Sequence, residues 1–309
     1  MPNLKELTHR EDLLAGGHRL CAGCGAPIAL RMIMLAKPDD MEMVAGCATG
    51  CVEVSTTIYP YSSWKVPFIH NAFENAGATV SGVEAAFKGL QRAGKIPADK
   101  KMKFVAFGGD GGTYDIGLQS LSGAMERGHN VLYVCYDNGA YMNTGIQRSG
   151  ATPHYAWATT SEVGPAQQGK QQQRKDLTAI IADHGVYAAQ ASISHWKDLV
   201  TKAEKAFTLD GPAFINVFAP CPRGWRIPYN SSVEISKLAV QTGFWPLYEV
   251  EDGQWRITTK VHNKKPITEF LKPQGRFKHL FKPGNEALLE QLQAEVDRNY
   301  ERVLARCGS

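Results

Sequence analysis

Short apolar runs separated by longer amphipathic stretches make up most of the chain. The runs FVAF (104–107), VLYVCY (131–136) and AFINVFA (213–219) have the length and continuity of strands that are buried on both faces. Shorter strands are predicted at residues 43–45 and 187–190, and helices at residues 27–35, 72–90, 176–184 and 196–209. This alternation predicts an α/β fold with a doubly wound, mostly parallel sheet, which binds its ligands at the carboxyl ends of the strands.

Beyond residue 225 the pattern changes. Residues 244–259 predict a hairpin whose turn is EDGQ (251–254). Residues 284–305 predict a last helix, and its apolar stripe consists of Leu289, Leu292, Val296, Tyr300 and Val303. We interpret the chain as a ligand-binding domain, residues 1–225, followed by a C-terminal arm, residues 226–309. We expect this arm to pack on the first domain or on a partner subunit.

Two polar regions are expected at the surface. Residues 156–173 are rich in polar and small residues and have weak periodicity, which predicts a surface excursion available to a partner. A modest basic cluster in the last quarter of the chain comprises Lys260, Lys264, Lys265, Lys272, Arg276, Lys278 and Lys282. This cluster is either an ordinary solvated face or a surface that attracts an acidic protein.

The composition excludes several classes of protein. The 309 residues, 43% of them hydrophobic, can bury a sizeable core, and no apolar run approaches the roughly 18 residues that a membrane-spanning helix needs. The formal net charge of +4 is small for this length and gives no reason to expect a nucleic acid partner. Seven cysteines without a secretory signal fit a reducing compartment, so we expect a cytoplasmic protein that does not enter a membrane.

A glycine turn that carries an aspartate follows the first long apolar run. In GDGG (109–112) the glycines allow the backbone to approach a diphosphate, and a helix starting near Tyr114 would direct its first amides at the phosphates. The next apolar run delivers Asp137, Asn138 and the carbonyl of Ala140 to the same edge of the sheet. Together with Asp110 these groups offer the oxygen ligands that Mg²⁺ prefers. The paired loops predict a thiamine diphosphate site, whereas GDGG alone would also fit an ordinary strand–glycine–helix turn.

The cysteines give a second signal. Cys21 and Cys24 form a CxxC, Cys47 and Cys51 lie in GCATGC, and Cys221 lies in APCPRGW. Four thiolates from three segments can enclose a 4Fe-4S cluster, or they can bind zinc in a closed tetrahedral site. A disulfide framework fits less well, because seven is an odd number and no secretory signal is present. A thiamine site favours the cluster, since a cluster can accept electrons and zinc cannot.

These motifs carry a family resemblance that extends in order over nearly the whole chain. They are CAGCG at Cys21, ATGC ending at Cys51, VPFIHNAFENAGATVSGVEAAF from Val66, GGDGGTYDIG, DNGAYMNTGIQRSGATP, APCPRGW and LKPQGRFKHL. The chain resembles the β subunit of the multi-subunit 2-oxoacid:ferredoxin oxidoreductases, most closely the pyruvate branch. The resemblance implies a sheet of the thiamine diphosphate-binding type and three cofactors: thiamine diphosphate, Mg²⁺ and one 4Fe-4S cluster.

Transferred to this sequence, the family's site residues fall on the motifs just described. The cluster ligands implied are Cys21, Cys24, Cys51 and Cys221, with Cys47 as an additional cysteine, and Mg²⁺ falls on Asp110, Asn138 and the main-chain oxygen of Ala140. The residues implied to contact thiamine diphosphate are Gly109, Asp110, Gly111, Gly112, Asn138, Ala140, Asn143 and Cys51. Asn143 is expected to donate a hydrogen bond to a developing oxyanion, and Arg31 to pair with a substrate carboxylate.

The resemblance also implies an activity and partners. The expected reaction is the oxidative decarboxylation of pyruvate with coenzyme A to acetyl-CoA and CO₂, with electrons passing to ferredoxin. Oxalate, phenylglyoxylate or a branched-chain 2-oxoacid are alternatives, since Ala26 stands where single-chain pyruvate enzymes carry a glutamate. The alternative from another class of enzyme is a non-redox thiamine-dependent decarboxylase or synthase with a structural zinc site. No glutamate is placed to protonate the aminopyrimidine, so we expect α, γ and δ-type subunits to complete the enzyme.

Overall fold

The computed structural model describes residues 3–308 and places eight strands in one sheet. The strands are β1 (Glu42–Ala48), β2 (Phe68–Asn71), β3 (Met102–Gly109), β4 (Val131–Asp137), β5 (Tyr187–Ser192), β6 (Ala213–Phe218), β7 (Leu247–Glu251) and β8 (Gln254–Thr259). Their order across the sheet is β2-β1-β3-β4-β6-β5-β7-β8. The six strands from β2 to β5 in this order are parallel, and only β7 and β8 pair in antiparallel fashion. The predicted mostly parallel α/β fold is confirmed.

Helices connect the strands and cover both faces of the sheet. They are Leu4–Leu7, Gly25–Leu35, Cys51–Thr56, Ala76–Arg92, Leu118–Glu126, Leu177–Ala182, Trp196–Thr208, Pro222–Trp225, Ser232–Gln241, Ile267–Leu271 and Glu286–Arg306, with a π-helical turn at Gly112–Ile116 and a 3₁₀ helix at Gly275–Phe281. Of the helices within the described residues, not one combines the length and the apolar character needed to cross a membrane.

Alternate residues of the central strands enter two different hydrophobic clusters. Val105 and Phe107 of β3 pack with the helices Gly25–Leu35 and Trp196–Thr208 on one face. Their neighbours Phe104 and Ala106 belong to the cluster on the opposite face. Because side chains alternate along a strand and both faces are covered by helices, the central strands are apolar at nearly every position, and a polar exception, Asn216, is itself buried and hydrogen-bonded to Tyr114. Burial of both faces explains the nearly continuous apolar runs from which the strands were predicted.

The helix after the glycine turn begins earlier than the sequence predicted. The backbone is helical from Asp110, directly after β3, and not from the neighbourhood of Tyr114. The π-helical turn is closed by a hydrogen bond from the Gly117 N–H to the Gly112 carbonyl, 2.6 Å. A Cβ on Gly117 would lie 2.5 Å from that same oxygen, so glycine at this position permits the wide turn. Asp110 therefore lies in the first helical turn.

The segment of residues 156–173 is irregular, and most of it keeps partial or full exposure, in agreement with the predicted surface excursion. A few buried positions fix it to the fold: Ala156 and Ala158 are fully buried, and Lys170 is 1% exposed. The Lys170 ammonium donates to the Thr152 carbonyl at 2.6 Å. Contact of this segment with a partner stays a prediction.

The C-terminal region joins the sheet. The predicted hairpin is confirmed as β7 and β8, and β7 pairs with β5. The helix Glu286–Arg306 buries Leu292, Val296, Tyr300 and Val303, whereas Leu289 of the predicted stripe is only partly buried. The stripe packs on the parent fold. The division of the chain at residue 225 stays a prediction.

Candidate cofactor site

Four neighbouring strands direct their carboxyl ends to one edge of the sheet. In the order β1-β3-β4-β6, these strands are followed by Cys51, Asp110, Asn138 and Cys221. Adjacent strands lie about 4.8 Å apart, so the four connecting loops share a strip of about 15 Å. Residues that are separated by up to 170 positions in the sequence therefore lie side by side.

A cavity of about 300 Å³ opens at this edge. Its lining includes seven of the residues predicted to contact the cofactor, namely Cys51, Gly109, Gly111, Gly112, Asn138, Ala140 and Asn143. Asp110 is fully buried between these lining residues. A larger cavity of about 720 Å³ lies between Trp245, Tyr248 and the helix Glu286–Arg306, and it contains none of the predicted site residues.

The Asn138 amide and two oxygen atoms converge at the floor of the smaller cavity. The amide lies 2.9 Å from Asp110 Oδ1 and 3.0 Å from the Ala140 carbonyl oxygen, and in the orientation that satisfies both contacts its nitrogen donates to them. A cation bound here would turn the amide so that its oxygen joins the other two. One carboxylate, one amide oxygen and one carbonyl form a set of hard ligands of the kind that binds Mg²⁺ together with substrate phosphates. The residues present thus fit a magnesium–diphosphate group.

The Asp110 carboxylate is held in a fixed orientation. Its Oδ2 accepts a hydrogen bond from the Ser149 hydroxyl at 2.6 Å, and its Oδ1 accepts one from the Asn138 backbone N–H at 3.1 Å. Burial, followed by the neighbouring Asp137 carboxylate, raises the pKa of Asp110 well above its ordinary value, while these two hydrogen bonds oppose the increase. A cation in contact with the carboxylate favours its charged form.

Asp137 does not join the oxygen set, contrary to the sequence prediction. Its carboxylate pairs with the Arg174 guanidinium, and its Oδ1 also accepts from the Gly139 N–H at 3.1 Å. Arg174 is itself fixed by the Ala151 carbonyl at 2.9 Å and lies 4.5 Å over the Trp245 ring. The pair neutralises the Asp137 charge and orients the backbone that leads into Asn138.

Protein contacts account for two of the glycines in the turn. A Cβ on Gly111 would lie 2.5 Å from Cγ of Tyr141, and a Cβ on Gly112 would lie 2.7 Å from the Phe73 carbonyl oxygen. Tyr141 and Phe73 both line the cavity. Glycines in the turn therefore let the Tyr141 ring and the Phe73 backbone pack directly against it.

Asn143 lies exposed at the rim of the cavity. The turn that carries it is closed by the Gly145 N–H, which donates to the Met142 carbonyl at 3.4 Å. Within residues 3–308 the Asn143 side chain makes no hydrogen bond, so its amide is available to a bound molecule.

The loop of Cys21 and Cys24 packs tightly on the segment that precedes Cys221. The Gly25 N–H donates to the Pro220 carbonyl at 3.0 Å, and a Cβ on Gly25 would lie 2.7 Å from the carbonyl carbon of Ala219. The Cys221 sulfur accepts a hydrogen bond from the Gly224 N–H at 3.3 Å at the start of the helix Pro222–Trp225. The loop is thereby fixed beside the third cysteine segment.

The four predicted cluster ligands lie within electrostatic range of one another, and Cys47 does not belong to this group. Burial, with smaller contributions from Cys221, Cys24 and Cys21, raises the pKa of the Cys51 thiol to about 12. Burial likewise raises the pKa of Cys24 to about 12, with contributions from Cys221 and Cys21. For Cys47, burial and then Glu53 raise the pKa, and none of the other cysteines contributes.

The spacing of these thiols bears on the kind of metal group they suit. Among residues 3–308, no three His, Cys, Asp or Glu side chains converge closely enough to hold one metal ion. A zinc site requires all four sulfurs at about 2.3 Å from a single ion. A cluster of several irons is larger and accepts sulfurs that are further apart. Whether the four thiols hold zinc or a cluster stays a prediction.

Arg31, predicted to bind the substrate, does not line the cavity. Its guanidinium pairs with Asp12 at 2.8 Å and donates to the Leu14 carbonyl at 3.0 Å. A substrate carboxylate would have to compete with Asp12 for this side chain. Its role as a substrate ligand stays a prediction.

Sequence reasoning missed Ser149, Tyr141, Arg174 and Trp225 as parts of the site. Ser149 and Tyr141 lie within DNGAYMNTGIQRSGATP, so their motif was recognised but their contacts were not. Trp225 follows APCPRG and donates its indole N–H to the Asn138 carbonyl at 2.6 Å. Arg174 lies outside every motif, and no sequence signal identified it.

Comparison with known protein families shows that the cavity lies within one family domain. The chain matches the family model described as thiamine pyrophosphate enzyme, C-terminal TPP binding domain, over residues 44–217. This range contains Cys51, Asp110, Asn138 and nearly all of the parallel part of the sheet, and it ends just before Cys221.

Comparison with individual proteins extends the similarity to the whole chain. Pyruvate synthase subunit PorB of Thermotoga maritima is 56% identical over 309 residues, covering 98% of this chain and 95% of the relative. Ketoisovalerate oxidoreductase subunit VorB of Pyrococcus furiosus is 43% identical over 293 residues, covering 93% and 92%. A solved structure of the 2-oxoglutarate:ferredoxin oxidoreductase from Magnetococcus marinus superimposes with a TM-score of 0.59 at 21% identity, covering 92% of this chain and 98% of that one. The last similarity shows a common fold.

Proposed function

The chain belongs to the thiamine pyrophosphate enzymes and, among them, to the pyruvate synthase PorB subunits, and from this we propose that it holds thiamine diphosphate and Mg²⁺ for oxidation of pyruvate. The observation that carries the proposal is the convergence of the Asp110 carboxylate, the Asn138 amide and the Ala140 carbonyl at the floor of the cavity. Their position at the carboxyl ends of parallel strands is where open α/β sheets bind ligands.

The chain's own residues would bind and orient the cofactor. When bound, thiamine diphosphate supplies the carbon nucleophile and the electron sink that decarboxylation of a 2-oxoacid requires. Asp110, fixed by Ser149, would provide the one protein carboxylate on Mg²⁺. Asn143 at the rim would donate a hydrogen bond to the substrate oxygen on which negative charge develops.

We further propose that Cys21, Cys24, Cys51 and Cys221 hold a 4Fe-4S cluster that takes up the electrons. The support is the proximity of the four thiols and the position of Cys51, which lines the cofactor cavity. A cluster in that place would accept electrons from the cofactor directly. Ferredoxin, the acceptor expected from the sequence, would then be reduced through further subunits.

The proposed active site requires a second chain. No glutamate is among the residues that line the cavity, so the group that protonates the aminopyrimidine would come from a partner subunit. Subunits of the α, γ and δ types and coenzyme A remain part of the proposal. The cytoplasmic location expected from the sequence also stays a prediction.

One relative favours a second candidate substrate. The VorB subunit is named for a ketoisovalerate oxidoreductase and is 43% identical to this chain. A branched-chain 2-oxoacid is therefore the alternative to pyruvate. Rates with pyruvate and with ketoisovalerate at equal concentrations of the assembled enzyme distinguish the two.

The proposal can be tested on enzyme that is co-expressed with its partner subunits and purified without oxygen. We expect this chain to hold about four irons, and we expect a visible absorbance that bleaches when pyruvate and coenzyme A are added. Asp110→Asn should reduce Mg²⁺-dependent binding of thiamine diphosphate by at least about tenfold in calorimetry. Asp12→Asn, which removes a carboxylate outside the cavity, serves as the control. Unchanged binding in D110N would refute the assignment of the oxygen set.

A further inference from the structure

Arg276 is a buried cation whose charge has no direct counterpart. The residue is 2% exposed, and its Nε donates to Gln274 Oε1 at 2.9 Å. Its terminal nitrogens Nη1 and Nη2 find no hydrogen-bond partner within residues 3–308. A buried charge that lacks a paired and hydrogen-bonded partner is strongly unfavourable, so an anionic group is expected nearby.

The guanidinium lies between the two halves of the proposed site. Its central carbon is 3.9 Å from the centre of the Trp225 ring, in the short helix that begins after Cys221. On the other side, a Cβ on Gly139 would lie 2.9 Å from Nη1, and Gly139 has a φ of +73°. Gly139 separates the two residues Asn138 and Ala140 of the oxygen set. Arg276 thus contacts both the cysteine segment and the metal turn.

The nearby carboxylates are already engaged. Asp137 is paired with Arg174, and Asp110 accepts hydrogen bonds from Ser149 and from the Asn138 backbone. Neither carboxylate bonds to Arg276. Asp137, Cys221 and Asp110, in decreasing order of effect, lie within electrostatic range of the guanidinium. Since both carboxylates have other partners, the charge left for Arg276 to balance is the negative charge that the cysteine site would carry with a cluster bound.

We propose that Arg276 is the counter-charge of the four-cysteine site and raises the reduction potential of the cluster bound there. This inference rests on the proposed function. Reduction adds one electron to the cluster from the cofactor and neither makes nor breaks a bond. A fixed positive charge that is itself buried, as Arg276 is, stabilises the more negative, reduced form over the oxidised form. Arg276 is thus a positioning and tuning residue, since it contacts no substrate.

The test uses three variants in the assembled complex. Arg276→Gln removes the charge, Arg276→Lys keeps it, and Lys278→Gln removes an exposed charge from the same 3₁₀ helix as a control. The measurement is a potentiometric titration of the cluster followed by electron paramagnetic resonance. We expect R276Q to shift the one-electron reduction equilibrium about tenfold toward the oxidised form, which corresponds to 59 mV. R276K and K278Q should remain near the wild-type potential.

The outcomes separate this inference from the proposed function. Wild-type enzyme without a cluster would refute the proposed function. If the wild-type enzyme holds a cluster and R276Q has the same reduction potential, Arg276 does not tune the cluster. The same conclusion follows if R276Q loses only its affinity for thiamine diphosphate. If R276Q does not assemble, the potential of R276K is the test. A wild-type potential in R276K supports a role of the positive charge, and a tenfold shift of its reduction equilibrium contradicts that role.

Discussion

The indole N–H of Trp225 donates to the carbonyl of Asn138 across 2.6 Å, and both residues are buried. Trp225 belongs to the short helix that follows Cys221, and Asn138 carries an oxygen of the proposed magnesium set. One hydrogen bond therefore joins the cysteine segment to the cofactor turn. A substitution in the cysteine segment should therefore affect the cofactor turn, and a substitution in the cofactor turn should affect the cysteine segment.

We expect Trp225→Phe to weaken cofactor binding as well as stability. The substitution leaves the buried Asn138 carbonyl without its donor, which costs about 1 to 3 kcal/mol. Trp245→Phe is a matched control, because Trp245 is equally buried and donates to the Ala191 carbonyl at 2.8 Å. Both variants should lose unfolding free energy in urea titrations, but only W225F should lose Mg²⁺-dependent affinity for thiamine diphosphate. Equal affinities in the two variants would contradict the coupling.

The two cysteines of GCATGC should behave differently when replaced. Cys51 lines the cavity and interacts with the other three thiols, whereas Cys47 is fully buried and donates to the Ala48 carbonyl at 3.5 Å. We expect Cys51→Ala to lose most of its iron and sulfide and Cys47→Ala to retain them. Colorimetric analysis of anaerobically purified complex measures both. Loss of iron in C47A to the same extent as in C51A would show that the ligand assignment is wrong.

Two helical glycines should respond in opposite directions to alanine. Gly111 has φ −58° and ψ −49°, so the backbone accepts alanine, but the new Cβ would lie 2.5 Å from Cγ of Tyr141. Gly82, exposed in the helix Ala76–Arg92, has no atom within 4 Å of the corresponding position. Gly82→Ala should gain about 0.5 to 1 kcal/mol in urea unfolding, since glycine is a poor helix former. Gly111→Ala should lose stability and cofactor affinity.

A double variant checks the cause of the G111A effect. Removing the ring with Tyr141→Ala leaves space for the new methyl group, so G111A should cost less in the Y141A background than in the wild type. The difference is measured by unfolding of all four proteins. An undiminished cost would mean that the clash with Tyr141 is not the reason.

Acid sensitivity should depend on Glu84. Burial alone would raise the pKa of this carboxyl, but hydrogen bonds from Lys88 at 2.5 Å and His129 at 2.9 Å hold it below the ordinary value of 4.5. A carboxyl with a lowered pKa in the folded state stabilises the protein above the unfolded-state pKa, and this contribution is lost as the pH falls through the folded-state pKa. Glu84→Gln should therefore be less stable than the wild type near pH 7, and the difference should shrink on acidification. Urea unfolding over a pH series measures it, and a constant difference would refute the role of the charge.

Local patterns in the sequence predicted most of the sheet and the position of its ligand edge. Nearly continuous apolar runs marked β3, β4 and β6, because a strand covered on both faces buries the side chains on both of its sides. The hairpin of β7 and β8 was equally visible from its turn. The edge strand Phe68–Asn71 was missed, since it is short and half exposed and carries no apolar run.

Contacts between distant residues decided the rest. The sequence placed Asp137 in the oxygen set and Arg276 in a basic surface cluster, yet the fold pairs Asp137 with Arg174 and buries Arg276 on Trp225. Periodicity and motifs report what a residue does within its own strand, turn or helix. The partners of a charged side chain depend on which strands become neighbours, and this is determined by the packing of the whole chain. The sequence by itself therefore determined the fold class and the family motifs, and only the tertiary structure decided which charges of the site face one another.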